Sequence, residues 1–307
     1  MKAWQIMQGD CLDEMEWMAN ESVQCCVTSP PYFGLRDYGH AGQIGLETSP
    51  AEYVRKMVDV FREVRRVLKP DGTLWLNLGD SYSSGGNGVG TGKQLTNVGS
   101  HLPPKRTEGY KQKQLLGIPW RVAFALQEDG WYLRQDIIWH KPNPMPESVR
   151  DRCTKAHEYV FLFSKSPRYY FDSEAMKEDA VGAAKGAAAS FKRQSSKRAV
   201  AHVNQNVGTH RAERDDVHYN VSRNRRSVWT IPTRPYKGAH FAVYPPKLIE
   251  PCILAGSRVG DVVFDPFAGS GTTGAVAIEH GRKAIMCELN VGYVELIKAR
   301  MSQAEEL

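Results

Sequence analysis

The segment Asp265-Pro-Phe-Ala-Gly-Ser-Gly-Thr-Thr-Gly274 constrains this chain more than any other. A short apolar run, Asp261–Asp265, precedes it and reads as a buried strand; Thr272–His280 follows with helical spacing. Glycines 269, 271 and 274 fit G-x-G-x-x-G at this strand-to-helix turn, where missing side chains let the backbone approach a ligand. Lys283–Glu288 reads as the next strand. Its terminal acid lies 23 residues after Asp265, where a carboxylate binds ribose hydroxyls. The chain therefore builds at least one β-α-β unit of a nucleotide-binding α/β fold.

Alone, this unit suits a nicotinamide enzyme equally well. Two features count against that. Only 33 residues follow Gly274, too few for the rest of a dinucleotide fold. Asp265-Pro-Phe267 also puts a carboxylate and a ring at the mouth of the loop, which suits a ligand with a cationic amino-acid end better than a pyrophosphate. A second cluster, Gly85–Lys93, resembles a phosphate loop but has Asn87 where its first glycine belongs and Gln94 where Ser or Thr should hold magnesium. It reads as part of a polar, flexible loop spanning residues 81–113.

Upstream, strands and helices alternate. Val23–Thr28 is an apolar run stopped by Ser29-Pro-Pro, hence a buried strand. Pro50–Leu68 has helical spacing and ends at the turn Lys69-Pro-Asp-Gly72. Thr73–Leu78, Tyr132–Trp139 and Tyr159–Ser164 read as strands, and Ile118–Asp129 as a helix. Tyr244–Ala255 and Tyr293–Glu305 read as further helices. Such alternation implies a parallel sheet with helices on both faces. Residues from about 166 to 228 break the rhythm, so the expected organisation is 1–165 and 229–307 as two halves of one domain, with 166–228 inserted.

That insert concentrates the charge. The net charge of the chain is +6, and Lys185–Arg226 holds ten Lys/Arg against three Asp/Glu, leaving the remainder about neutral. A concentrated basic block points to a polyanionic partner, since each neutralised phosphate releases counterions; the alternative is a solvated loop. Arg223, Arg225 and Arg226 are its candidate contacts to DNA phosphates or guanine edges. The six cysteines form no C-x-x-C pair, so they offer neither a zinc knuckle nor a redox motif. No stretch has the pattern of a signal peptide or membrane span, so a soluble intracellular protein is expected, cytoplasmic and without membrane contact.

Ser29-Pro-Pro-Tyr32 follows the Val23–Thr28 strand, at the carboxyl end of the sheet, where doubly wound folds bind ligands. Two prolines stiffen the loop and remove two N–H donors. Carbonyls, a hydroxyl and a ring remain. Acceptors aimed at the N–H bonds of an exocyclic amino group would favour a pyramidal, more nucleophilic nitrogen, and the ring would stack on an extruded base. A proline turn that merely ends a strand is the alternative.

Together the two motifs resemble the amino-methyltransferases of DNA, in their circularly permuted β subgroup. There a (D/N/S)-P-P-(Y/F) motif precedes F-x-G-x-G, with the target-recognition region between. Gly9-Asp10, Leu68–Gly72, Ile137–Asn143, His157–Phe163 and His240–Leu248 also match, so the resemblance spans nearly the whole chain outside the insert. It implies a Rossmann-like, S-adenosylmethionine-dependent methyltransferase fold, circularly permuted, with residues 166–228 as the target-recognition region. It further implies Ser29, Pro30, Pro31 and Tyr32 as the catalytic loop. Asp10, Asp265, Phe267, Gly269, Gly271, Thr272 and Glu288 would hold S-adenosylmethionine, which leaves as S-adenosylhomocysteine. Thr272 and Thr273 would cap the helix after the glycines. Asn77 and Asp80 would either face the target pocket or satisfy a turn.

The implied reaction is direct transfer of the sulfonium methyl to the amino nitrogen of a flipped base in double-stranded DNA, without metal. Ser29 implies cytosine N4 first, with adenine N6 as the alternative. Ring-carbon methylation would need a cysteine nucleophile; Pro251-Cys252 lies in an apolar helical stretch and is expected to be core. A non-catalytic nucleic-acid-binding protein is the remote alternative. Homodimerisation and a cognate restriction enzyme are open partners.

Overall fold

The computed structural model describes residues 3–40, 42–83, 107, 109–179, 222–233 and 244–305. They fall into two compact units: Met1–Asp172 with Ser227–Leu307, and Ser173–Arg226. The Gly85–Lys93 cluster and residues 180–221, with most of the basic block, lie outside the described residues.

In chain order the elements of the larger unit begin with β1 (Trp4–Gln8), α1 (Cys11–Glu16), β2 (Val23–Thr28), α2 (Pro50–Val67) and β3 (Leu68–Leu78). Next come α3 (Ile118–Glu128), β4 (Tyr132–His140) and β5 (His157–Ser164). The smaller unit contributes β6 (Lys177–Asp179) and β7 (Ser222–Asn224), an antiparallel pair. The larger unit resumes with β8 (Val228–Thr230), α4 (Pro246–Gly256), β9 (Val262–Asp265), α5 (Thr272–Glu279), β10 (Lys283–Glu288) and α6 (Val291–Glu305). Among the described residues, its eight strands form one sheet in the order β1-β10-β9-β2-β3-β5-β4-β8.

All six residues of β2 are buried, as a strand between parallel neighbours must be. The sheet is not wholly parallel, however, as the alternation had implied. β5 runs antiparallel to both β3 and β4. The β4–β5 connection, residues 141–156, contains no helix, and such a direct return yields an antiparallel pair. The expected turn at Lys69–Gly72 appears as an irregularity inside β3: Val23 pairs with Leu68, but Cys25 already pairs with Thr73.

β1 and α1 carried no readable period. β1 is an edge strand with one buried residue, and α1 has six residues, too few to show a helical stripe. α2 was legible because its stripe is complete: Tyr53, Met57, Val60, Phe61, Val64 and Val67 are buried. Each such side chain contributes roughly 1.5–3 kcal/mol. Ser49 caps the helix, its Oγ accepting from the Glu52 N–H at 3.2 Å, and Glu52 reaches back to the Thr48 N–H at 3.1 Å.

In α4, Cys252 is 1% exposed and its Sγ donates to the Leu248 carbonyl at 3.5 Å. It is packed among Leu248, Ile249 and Ile253, with no route to a substrate. A Cys252→Ser variant should therefore lose about 1 kcal/mol of stability, seen as a small drop in thermal midpoint, with its catalytic rate unchanged. Complete inactivity of a folded Cys252→Ser protein would revive ring-carbon chemistry.

Candidate active site

β2 and β9 are hydrogen-bonded neighbours, Cys25 opposite Val263 and Cys26 opposite Phe264. The proline loop and the glycine loop therefore leave the same edge of the sheet side by side, although more than 230 residues separate them in sequence. At that edge the Asp265 carboxylate is 1% exposed. Its Oδ1 accepts from Thr28 Oγ1 at 2.7 Å and from the Phe267 N–H at 3.0 Å. Its Oδ2 accepts from Thr273 Oγ1 at 2.5 Å and from Tyr244 Oη at 3.0 Å. Burial pushes this carboxyl up, against the pull of those bonds. The carboxylate expected at the mouth of the glycine loop is thus behind it, consumed by the scaffold.

Gly269 and Gly271 both adopt positive φ, 55° and 76°, which a side chain would strain. The expected threonine cap is absent. Gly271 itself is the N-cap of α5, with no side-chain bond. Thr273 is turned inward to Asp265, while Thr272 Oγ1 accepts from Arg300 Nη1 at 2.9 Å. Glu288, at the end of β10, accepts from the Gly269 N–H and the Asn290 N–H, each at 2.8 Å. Burial raises its carboxyl to about 7, opposed by those backbone N–H groups. Asp10 stands close by, because β1 pairs with β10 and the Gly9 N–H donates to the Glu288 carbonyl at 3.1 Å. Asp10 also caps α1, accepting from the Leu12 N–H at 2.8 Å.

The Ser29–Tyr32 loop is braced from α2, where buried Tyr53 donates its hydroxyl to the Pro31 carbonyl at 2.9 Å. That carbonyl is thus already engaged. The Tyr32 ring packs on Gly79, where a Cβ would lie 2.5 Å from its Cε2. Ser29 Oγ donates to Tyr32 Oη at 3.3 Å. Tyr32 Oη lies 2.8 Å from Glu158 Oε2 and 3.1 Å from Asn77 Oδ1. Glu158 pairs through Oε1 with Lys141, whose ammonium sits 4.3 Å from the centroid of the Trp139 ring.

One cavity of about 990 Å³ collects both loops. It is lined by Asp10, Phe267, Gly269, Thr272 and Glu288 at the glycine loop, and by Ser29, Pro30, Pro31 and Tyr32 at the proline loop. Of the residues predicted to form the catalytic loop or hold the cofactor, Asp265 and Gly271 do not line it. Asn77 and Asp80 both line it but differ in use. Asn77 joins the Tyr32 network, whereas Asp80 Oδ1 accepts from the backbone N–H of Ser81 and of Ile118, each at 2.9 Å. Glu158, Lys141 and Arg36 also line the cavity and were not singled out as site residues. Glu158 left a signal, an acid opening an apolar strand; Arg36 left none. Its Nη1 is buried without a hydrogen-bond partner among the described residues, an orphan donor that a ligand bearing acceptors would satisfy. No group of three or more His, Cys, Asp or Glu arranged to hold a metal occurs among the described residues, and no helix among them is long and apolar enough to cross a membrane.

In the smaller unit, Arg223 and Arg226 both bond Glu178 Oε1 through Nε, at 2.9 and 2.8 Å. Two of the three basic residues expected to face DNA are thus held by an acid on the pairing strand.

Comparison with known proteins agrees with this geometry. The model of the N6/N4 methyltransferase family, described as DNA methylase, matches residues 23–299. The type II methyltransferase M.SmaI of Serratia marcescens is 48% identical over 304 residues, 98% of this chain and 91% of that protein. The solved structure of the cytosine-N4-specific PvuII DNA methyltransferase superposes with a TM-score of 0.64 at 21% identity, over 99% of this chain and 90% of that one. A Thermus thermophilus protein described as a 'putative DNA modification methylase', solved in complex with S-adenosyl-L-methionine, gives 0.58 at 24% identity, over 97% and 95%. The fold is that of the Rossmann-like methyltransferases, and the chain belongs to the N6/N4 DNA methylase family.

Proposed function

We propose that this protein transfers a methyl group from S-adenosylmethionine to the N4 amino group of a cytosine extruded from double-stranded DNA. The observation that carries the reading is the single cavity lined by both loops. Motif order supports the circularly permuted arrangement, since β2 precedes β9 in sequence yet lies beside it in the sheet. The type II relatives support a place as the modification half of a restriction–modification pair.

The residues present fit the cofactor. Glu288 and Asp10 offer carboxylates at the glycine loop, Phe267 a ring, and Gly269 a close backbone approach. Thr272 lines the same wall; Asp265 and Gly271 shape it from behind. When bound, S-adenosylmethionine supplies an electrophilic methyl on a cationic sulfur. The chain supplies position. Pro30 and Pro31 stiffen the catalytic loop. Ser29 Oγ accepts from an N–H of the target amino group. The Tyr32 ring, seated on the Gly79 backbone, stacks with the base. The cavity wall keeps water out of the transfer line. Arg223, Arg225 and Arg226 contact phosphates or guanine edges of the duplex.

Cytosine is preferred to adenine because a serine leads the proline loop and because the PvuII enzyme, cytosine-N4-specific, shares the fold. Adenine N6 is the second reading, since the family holds both chemistries. Calorimetric titration with S-adenosylmethionine separates either from a non-catalytic DNA-binding protein, which would give no heat of binding.

Replacing Ser29 by Ala should lower the turnover number about 100-fold and leave the cofactor dissociation constant within about twofold; tritiated-methyl incorporation and calorimetry measure the two. A second expectation concerns pH. The Glu288 carboxyl is raised to about 7 by burial, and its ionised form is the better acceptor for ribose hydroxyls. Cofactor affinity should therefore rise as pH increases through 7 and level off above, with Glu288→Gln flattening the profile. In the unliganded protein the raised value favours the protonated native form, so Glu288 contributes stability that is lost as pH rises through 7. An unchanged pH profile in Glu288→Gln would remove Glu288 from the cofactor site.

A further inference from the structure

We infer that Glu158 is a positioning residue that acts through Tyr32 to turn the lone pairs of Ser29 Oγ toward the target amino group. The inference rests on the amino-methyltransfer reading above and concerns why a serine can lead the catalytic loop.

A serine hydroxyl carries one hydrogen. If that hydrogen points at the base, it meets the hydrogens of the amino group, and Ser29 cannot accept from them. The hydrogen needs another outlet. Tyr32 Oη, at 3.3 Å, is the acceptor to which Ser29 Oγ donates. Tyr32 can receive it only if its own hydrogen points elsewhere. Two acceptors compete for that hydrogen, Glu158 Oε2 at 2.8 Å and Asn77 Oδ1 at 3.1 Å. The carboxylate is both closer and charged, and charge-assisted bonds are roughly twice as strong as neutral ones. The chain therefore runs one way, from Ser29 to Tyr32 to Glu158.

Tyr32 keeps its hydrogen: burial, and then the nearby Glu158 charge, hold its phenol well above the ordinary value. Glu158 is itself fixed. Lys141 holds Oε1, and the Asn77 amide donates to Oε2 at 3.3 Å while also donating to the Tyr159 carbonyl at 3.0 Å. Only 17% of the Glu158 side chain is exposed. A carboxylate at position 29 would bring no hydrogen and need no outlet, so the Tyr32 hydroxyl and Glu158 matter specifically to a serine-led loop.

The test uses the full chain on duplex DNA, with Tyr32→Phe, Glu158→Gln, their double variant, and both changes placed on Ser29→Asp. Tyr32→Phe keeps the ring and removes only the hydroxyl. In Glu158→Gln the amide can donate to Tyr32 Oη and reverse the chain. Each single variant should lower the single-turnover rate roughly 10- to 100-fold, with KM for DNA and the cofactor dissociation constant within about twofold. The double variant should be no worse than the weaker single one, because the three groups act in series. On Ser29→Asp, Tyr32→Phe and Glu158→Gln should each remove a smaller share of the rate than on the wild-type chain, because the carboxylate brings no hydrogen to place. Glu158→Gln or Tyr32→Phe turning over at the wild-type rate overturns the inference, as does a double variant whose losses multiply. Wild-type protein that binds cofactor yet methylates no DNA would instead overturn the amino-methyltransfer reading on which it rests.

Discussion

The buried Asp265 carboxylate is the interaction on which the site depends. It ties the end of β2 through Thr28, the start of the glycine loop through the Phe267 N–H, α5 through Thr273, and the segment before α4 through Tyr244. Each partner comes from a different part of the chain. A carboxylate without partners is costly to bury, so its native bonds must form together. Their formation fixes the proline loop beside the glycine loop. Both loops need outside support, since neither is held by regular ladder bonds. Tyr53 braces one and Arg300 the other.

How much of this was legible in the sequence follows from how local each cause is. β2, β10 and α2 could be placed closely because their patterns are complete: an unbroken apolar run, a run ending in an acid, and an apolar stripe recurring every three or four residues. β1 and α1 could not, being short and mostly solvated. The antiparallel seat of β5 depends on the lack of a crossover helix between β4 and β5, which alternation alone does not reveal.

At the site, the motif residues were legible and their partners were not. Ser29–Tyr32, Phe267, Gly269 and Glu288 line one cavity as motif spacing led one to expect. Asp265 was read as a ligand contact because a carboxylate beside a glycine loop suggests a cation; only the fold shows four donors already converging on it. Glu158 is 126 residues from Tyr32 in sequence, and its relation to the catalytic loop exists only through the β3–β5 pairing, which sets Asn77 opposite Val160, two residues along β5 from Glu158. The basic segment carries its charge openly, yet Glu178, the acid that orients Arg223 and Arg226, stands 45 and 48 residues away.

The central claim is that this joined pair of loops methylates an amino group of a DNA base, cytosine N4 first. Its most direct measurement is to express the chain in a host lacking DNA methylation, digest the host DNA to nucleosides and quantify modified bases by mass spectrometry. N4-methylcytosine is expected, absent when Ser29 is replaced by alanine. Unmodified DNA from a host that accumulates folded, cofactor-binding protein would contradict it.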